Sequence, residues 1–452
     1  MKGTETSLEG VLVDWAARLR FEHLPETVIA QSKRLLLDTL AVAWAGAGAQ
    51  GVDAVGQFVV DQAGRPDSHV WGRKERVPAP AAAWINGLCA SALDFDSVHD
   101  EATIHPDIVM VPALLALADI VPMSGRQFIA AHVAGDELMV RLGLAAGKNP
   151  GWFLTAPLGV LVSATICARL LGLPIEGTRA AMGIALSRAA GSQQTLIEGS
   201  FSKRLQSAYA ARDGVEAALL ARVGVTGPLN ALTGTAGFAS LYTTLDADRA
   251  LDQLGKTYQF NSLTLKQYPS CFCNHAPIVA ALEMVRLHGL RSDLIESGRV
   301  ILTPLSGRLV GGPFMPGDNP QVAAQFSAQY SVSNVFHCRG FRIGDIEPAA
   351  VLDPAVLALA SRFEIEIDSA LSGKFTPATV VVRLRDGNEL RATAHSIPGT
   401  PGDPLSDAQV KSKAAACFES GPSPLAQQRA VALMDRIENL ESINSMRDFW
   451  KF

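Results

Sequence analysis

Lys266, Tyr268, Cys271, Cys273 and His275 crowd into one short run, LKQYPSCFCNH at 265–275. An ammonium group, a phenol, two thiols and an imidazole in such proximity can hold anions and move protons. A second run, ALDFDSVHDEATIHPD at 92–107, supplies carboxylates and further imidazoles in Asp94, Asp96, His99, Asp100 and His105. The expectation is that both runs face one pocket. His105 is the favoured acid or base, because a reference pKa of about 6.5 suits proton exchange near neutrality. Lys203-Arg204 follows a glycine- and hydroxyl-rich turn at 191–202 and precedes a helical pattern. Cations beside helix amides suit carboxylate binding. Tyr330, in QFSAQYSV at 325–332, has helical spacing, where a tyrosine is more often core.

Each signal has a plainer reading. The 94–105 run could be a solvated acidic loop, and Lys203-Arg204 an ordinary surface pair. Aspartate and histidine ligate zinc or iron, but their spacing here fits no zinc pattern. Cys271-x-Cys273-x-His275 lacks a second half-site, so no metal is expected. GAGAQG at 46–51 matches GxGxxG by letter but follows a helical run, not a strand. There is no P-loop and no GxSxG, so no nucleotide cofactor is expected.

The elements that must position these groups are mostly helices. The chain has 452 residues, 48% hydrophobic and 18% charged, which suggests two domains and helices buried on several sides. A net charge of −5 weighs against nucleic-acid binding. No apolar run reaches membrane-spanning length, and the start shows no signal-peptide pattern, so a cytoplasmic protein is expected. The six cysteines are scattered, and free thiols are expected. Helical periodicity predicts helices near 8–19, 25–44, 79–93, 108–120, 127–144, 155–171, 175–190, 207–223 and 276–290, and again at 407–419 and 425–441. Gly87, inside one of them, points to a closely passing backbone. Asp38, in an apolar helical run, is read as a buried carboxylate satisfied by a neighbouring backbone group or arginine. Runs at 299–303, 363–368 and 378–384 read as strands, with Asp386-Gly387-Asn388 turning into 389–395.

Six stretches together resemble the MmgE/PrpD family over nearly the whole chain. They are LLLDTLAVAWAG (35–46), AAWINGLCASALDFDSVHDEATIHPD (82–107), SKRLQSAYAARDGVEAALLARVGVTGP (202–228), KQYPSCFCNH (266–275), FSAQYSV (326–332) and GDPLSDAQVKSK (402–413). The resemblance implies a mainly α protein: a large all-helical domain from both chain ends (1–267 and 398–452) and a smaller α+β lid domain (268–397). It also implies a homodimer, no cofactor, and a cleft site for a small anionic di- or tricarboxylate, with no nucleic-acid or membrane partner. Family site positions fall on Asp94, His105, Lys203, Lys266 and Tyr330. Arg204, Tyr268, Cys271, His275 and Phe153 are expected to contact substrate. Dehydratase and decarboxylase members often carry histidine where this chain has Phe153, and the decarboxylase carries one where it has Cys271, which weighs against decarboxylation of cis-aconitate. The expected activity is a lyase reaction of the 2-methylcitrate dehydratase kind, by proton abstraction next to a carboxylate. Lys203 and Lys266 would stabilise the growing charge, Asp94 would orient His105 or share its proton, and Tyr330 would serve the other face. The alternatives are epimerisation of an imino-dicarboxylate such as iminodisuccinate, and a catalytically silent helical dimer with a binding role.

Overall fold

A computed structural model describes residues 7–62 and 64–452. The protein is mainly α. Its centre is the helix Asp107–Ala118, in which every residue is buried. That helix is apolar all round, as a helix enclosed by others must be. Around it pack Glu26–Gly46, Ala79–Ser91, Gly125–Ala145, Thr155–Leu170 and Ser202–Arg222. Gly87 is where Ala79–Ser91 meets Ser202–Arg222: a Cβ there would lie 3.1 Å from Cα of Ala208. The predicted backbone approach is thus present, and it sets the run after Ser91 beside Lys203.

The C-terminal helices Asp407–Ser420 and Gln427–Glu438 pack back on Glu26–Gly46. Ser406 starts the first of them with a capping box, its hydroxyl accepting from Gln409 N–H at 3.3 Å. The expected strands form one four-stranded sheet, in the order Phe363–Ile367, Ile295–Leu302, Ala378–Leu384, Glu389–Ala394. The first pair is parallel and the others antiparallel, with Val300 opposite both Ile365 and Val380. Gly387, at φ 89°, makes the hairpin turn. Helices His275–His288 and Ala328–Cys338 cover the sheet.

Several details depart from expectation. Residues 46–51 do end a helix, but a further helix, Val52–Asp61, follows directly. Ser202–Arg222 starts before the predicted 207, so Lys203 and Arg204 lie in its first turn and not ahead of it. All six cysteines are free thiols. Among the described residues, no helix is long and apolar enough to cross a membrane.

Candidate functional site

Two runs distant in sequence are joined by a short antiparallel ladder. Val98 pairs with Thr264 and His99 with Leu263. This ladder sets the loop after Ser91 against the run that begins at Leu265. Lys413, from the C-terminal helix Asp407–Ser420, fastens them from outside. Its Nζ donates to the carbonyls of Phe95 (2.9 Å) and Lys266 (2.8 Å), and lies 2.6 Å from Asp38 Oδ1. Asp38 is therefore paired with a lysine far along the chain, not with a neighbouring backbone group or arginine. Burial pushes its pKa up to about 6 against the opposing pull of Lys413.

Asp94 is the centre of the cluster. It is 3% exposed, and its backbone adopts a left-handed φ of 50°, a conformation aspartate tolerates at some cost. One carboxylate oxygen accepts from Lys203 Nζ at 3.2 Å, the other from Lys266 Nζ. Lys266 also donates to the Asp94 carbonyl at 2.8 Å. Burial would raise the Asp94 pKa, but Lys203, Lys266 and His105 outweigh it and hold the carboxyl well below the usual range. For Lys266, burial favours the neutral amine, while Asp94 and Asp96 outweigh it and keep the ammonium.

His105 is oriented by Asp96, not by Asp94 as expected. Its Nδ1 lies 2.8 Å from Asp96 Oδ2 and 2.9 Å from the Ser97 carbonyl. Both partners are acceptors, so Nδ1 carries the proton and Nε2 keeps the lone pair. Among the described residues, Nε2 has no hydrogen-bond partner. This is the arrangement of a base with its orienting carboxylate.

His105, Asp94 and Lys203 line a cavity of about 300 Å³ together with Phe153, Cys271, Cys273, Phe326, Arg308 and Lys374. That size suits a small acid. The Phe153 ring lies 6.2 Å from the His105 ring, and Lys203 Nζ is 5.8 Å from Phe153 and 5.4 Å from Phe326. These rings exclude water beside the lysine and strengthen its field.

Other expected site residues lie elsewhere. Lys266 is fully buried behind Asp94 and does not reach the cavity wall. Tyr330 is fully buried in Ala328–Cys338 and its hydroxyl donates to the Asp345 carbonyl. It therefore has no free face for substrate. Arg204 is 1% exposed and donates to the Gln50 carbonyl and to Gln321, both at 3.0 Å, and to Gln325 at 3.3 Å. Tyr268 and His275 pack edge to face at 5.2 Å, outside the cavity lining. Burial, then Lys266, pushes the His275 imidazole down to about 3, so it stays neutral. His99 is likewise structural: its Nδ1 accepts from Ala102 N–H at 3.1 Å.

Asp94, Asp96 and His105 offer ligand atoms within 4.8 Å of one another. The donor set does not suit a metal, because the cation between the carboxylates is Lys266, hydrogen-bonded to Asp94 and 4.0 Å from Asp96 Oδ1. A metal would face two ammonium charges at once.

Sequence reasoning missed Arg308 and Lys374. The two cluster lysines are balanced by Asp94 and Asp96, so they add little net charge for an incoming anion. Lys374 donates to the Glu101 carbonyl. Among the described residues the Arg308 side chain has no hydrogen-bond or ion-pair partner, and it lines both this cavity and an outer one with Trp152, Gln193 and Leu309. A lone arginine in a short helix, Pro304–Val310, gave no sequence signal.

Comparison with known proteins follows the same outline. Residues 10–249 match the MmgE/PrpD N-terminal domain and residues 268–439 the MmgE/PrpD C-terminal domain. The chain is 28% identical over 447 residues to the cis-aconitate decarboxylase of Homo sapiens, covering 94% of this chain and 90% of the relative. It is 27% identical over 435 residues to a cis-aconitate decarboxylase-like protein of Aspergillus oryzae, covering 90% of each. With the cis-aconitate decarboxylase of Aspergillus terreus it shares 28% over 340 residues, 70% of this chain and 69% of the relative.

Proposed function

The chain belongs to the MmgE/PrpD family, and on that premise we propose that it is a cofactor-independent lyase acting on a small polycarboxylate. The observation that carries this reading is His105, whose Nε2 is unengaged, on the same cavity as Lys203 and the unpartnered Arg308. His105 Nε2 removes a proton from a carbon next to a carboxylate, and Asp96 stabilises the imidazolium that forms. Negative charge then grows on the carboxylate oxygens. Lys203 stabilises it, such a contact contributing about 3 kcal/mol, and Arg308 binds a further carboxylate of the substrate. Lys266 acts at one remove, by keeping Asp94 charged and in place. In this proposal residues 268–397 are the lid domain that brings Cys271, Arg308 and Lys374 to the cavity. The protein works as a homodimer, which light scattering would read.

Relatives named cis-aconitate decarboxylases make a tricarboxylate the first substrate class to test. Dehydration of a hydroxylated acid is preferred, as the activity of the dehydratases that the chain resembles. Epimerisation of an imino-dicarboxylate is the second reading. It is favoured by Cys271, a further ionisable group bordering the cavity.

Proton NMR of cis-aconitate, citrate-like hydroxyacids and amino-dicarboxylates in D2O separates these outcomes. New alkene signals indicate elimination, and loss of a carboxylated carbon indicates decarboxylation. Inversion with exchange and no alkene indicates epimerisation. No exchange with any acid, together with no thermal stabilisation, would leave a silent binding protein and end the lyase reading.

A further inference from the structure

The six thiols differ sharply in surroundings. Burial pushes Cys89, Cys167 and Cys417 up to about 12, and none of them reaches a cavity described above. Cys338 is exposed but pushed up to about 11, burial being the first cause. Only Cys271 and Cys273, among the described cysteines, border the cavity that also holds Lys203 and His105.

Cys271 is placed as a nucleophile would be. The neighbouring Cys273 thiol lowers the Cys271 pKa, and the Lys266 ammonium adds to that, against burial and Asp94, which raise it. Its backbone is fixed, with the N–H donating to the Gln325 carbonyl at 3.0 Å and the carbonyl accepting from Asn274 N–H at 2.8 Å. It immediately precedes the short turn Phe272–Asn274, and the Cys273 backbone N–H also favours the thiolate. The mechanism above leaves this sulfur without a required part.

We propose that Cys271 is a covalent acceptor site for α,β-unsaturated carboxylates, which the cavity's cations bring to its sulfur. The recruitment of the acid rests on the anion-binding reading above. The Cys271 thiolate sulfur forms a bond to the β-carbon, and the alkene electron pair moves toward the carboxylate. The α-carbon then takes one proton from solvent or His105. Overall the thiol adds across the double bond, and no oxidant or reductant is needed. Lys203 and Arg308, by neutralising the carboxylates, make the alkene a better acceptor. A lyase that forms an unsaturated acid would thereby carry a brake on its own accumulation, because the adduct fills the cavity.

The test treats the full chain separately with fumarate, with succinate and with N-ethylmaleimide, followed by peptide mass spectrometry. The expected result is a Cys271 peptide heavier by one fumaric acid, no change with succinate, and Cys338 slower by on the order of tenfold or more. Cys271→Ser should abolish the adduct on that peptide. Lys203→Met should slow fumarate addition but not N-ethylmaleimide addition. Fumarate found mainly on Cys338, or a Cys271 that takes N-ethylmaleimide but not fumarate, would overturn the proposal. So would a Cys271 inert to both. A fumarate adduct in a protein that turns over no polycarboxylate would retain this site and remove the lyase reading, whereas turnover without adduct does the reverse.

Discussion

Two Asp-His-Asp clusters lie close together in this protein and have opposite fates. In one, Asp94, Asp96 and His105 border a cavity. In the other, Asp107, His132 and Asp136 are all fully buried. His132 Nε2 sits 2.8 Å from Asp107 and 3.2 Å from Asp136, while Ser32 Oγ bonds its Nδ1 at 2.9 Å. Both imidazole nitrogens are thus engaged, and nothing can approach. Burial would lower the His132 pKa, but Asp136 and Asp107 outweigh it and push it up to about 10. The first cluster differs in two ways. It has lysines to balance its carboxylates, and its histidine keeps one nitrogen free. Identical residue types therefore give a sealed structural ion in one place and a poised base in the other. The two clusters touch through Ser97, whose hydroxyl donates to Asp107 and whose carbonyl accepts from His105 at 2.9 Å.

The contrast is open to experiment. His132→Ala leaves two buried carboxylates without their cation, so stability should fall by about 3–5 kcal/mol in denaturant unfolding. Turnover per folded molecule should fall less than tenfold, roughly the limit for a residue that only supports others. A larger loss would make the second cluster part of the chemistry. His105→Ala should do the reverse, lowering kcat by about 100-fold, or ~2.7 kcal/mol, with the melting temperature nearly unchanged. Near-normal turnover there would remove His105 from the mechanism. Arg308→Ala should raise KM by on the order of tenfold for a tricarboxylate, about 1.4 kcal/mol. An unchanged KM would mean that the unpartnered guanidinium does not meet substrate. A further test concerns pH. Stability from charged His132 is complete below its unfolded pKa of about 6.5 and is lost as pH rises through about 10. Asp136, raised chiefly by burial, adds a decline of the same sign. His132→Asn should flatten the fall in stability between those pH values, and an unaltered slope would assign it to other groups.

Much of the architecture was legible. β-Branched runs and a turn signal located the four sheet strands, and the mostly apolar run 108–120 located the helix Asp107–Ala118. Composition worked there because burial on a face or on all faces leaves its mark in the sequence. It failed where structure is short or polar. The two-residue ladders at 68–69/76–77 and 98–99/263–264 are too short to show a period. Ser202–Arg222 opens with a polar turn that reads as loop, because the partners that let Lys203 and Arg204 be buried lie elsewhere in the chain.

The candidate site divides the same way. The chain's own order of residues determined that carboxylates, imidazoles, thiols and lysines were concentrated at 94–105, 203–204 and 265–275. Family resemblance placed Asp94, His105, Lys203 and Lys266 among them, and these four do gather around one cluster. Only the tertiary structure decided which group meets which. It gave His105 to Asp96, both lysines to Asp94, Asp38 to Lys413, and, among the described residues, no partner to Arg308. It also withdrew Tyr330 and Arg204 into the interior. Hydrogen bonds and ion pairs act through space over a few ångströms, so residues a hundred or more positions apart choose each other only after the helices have packed.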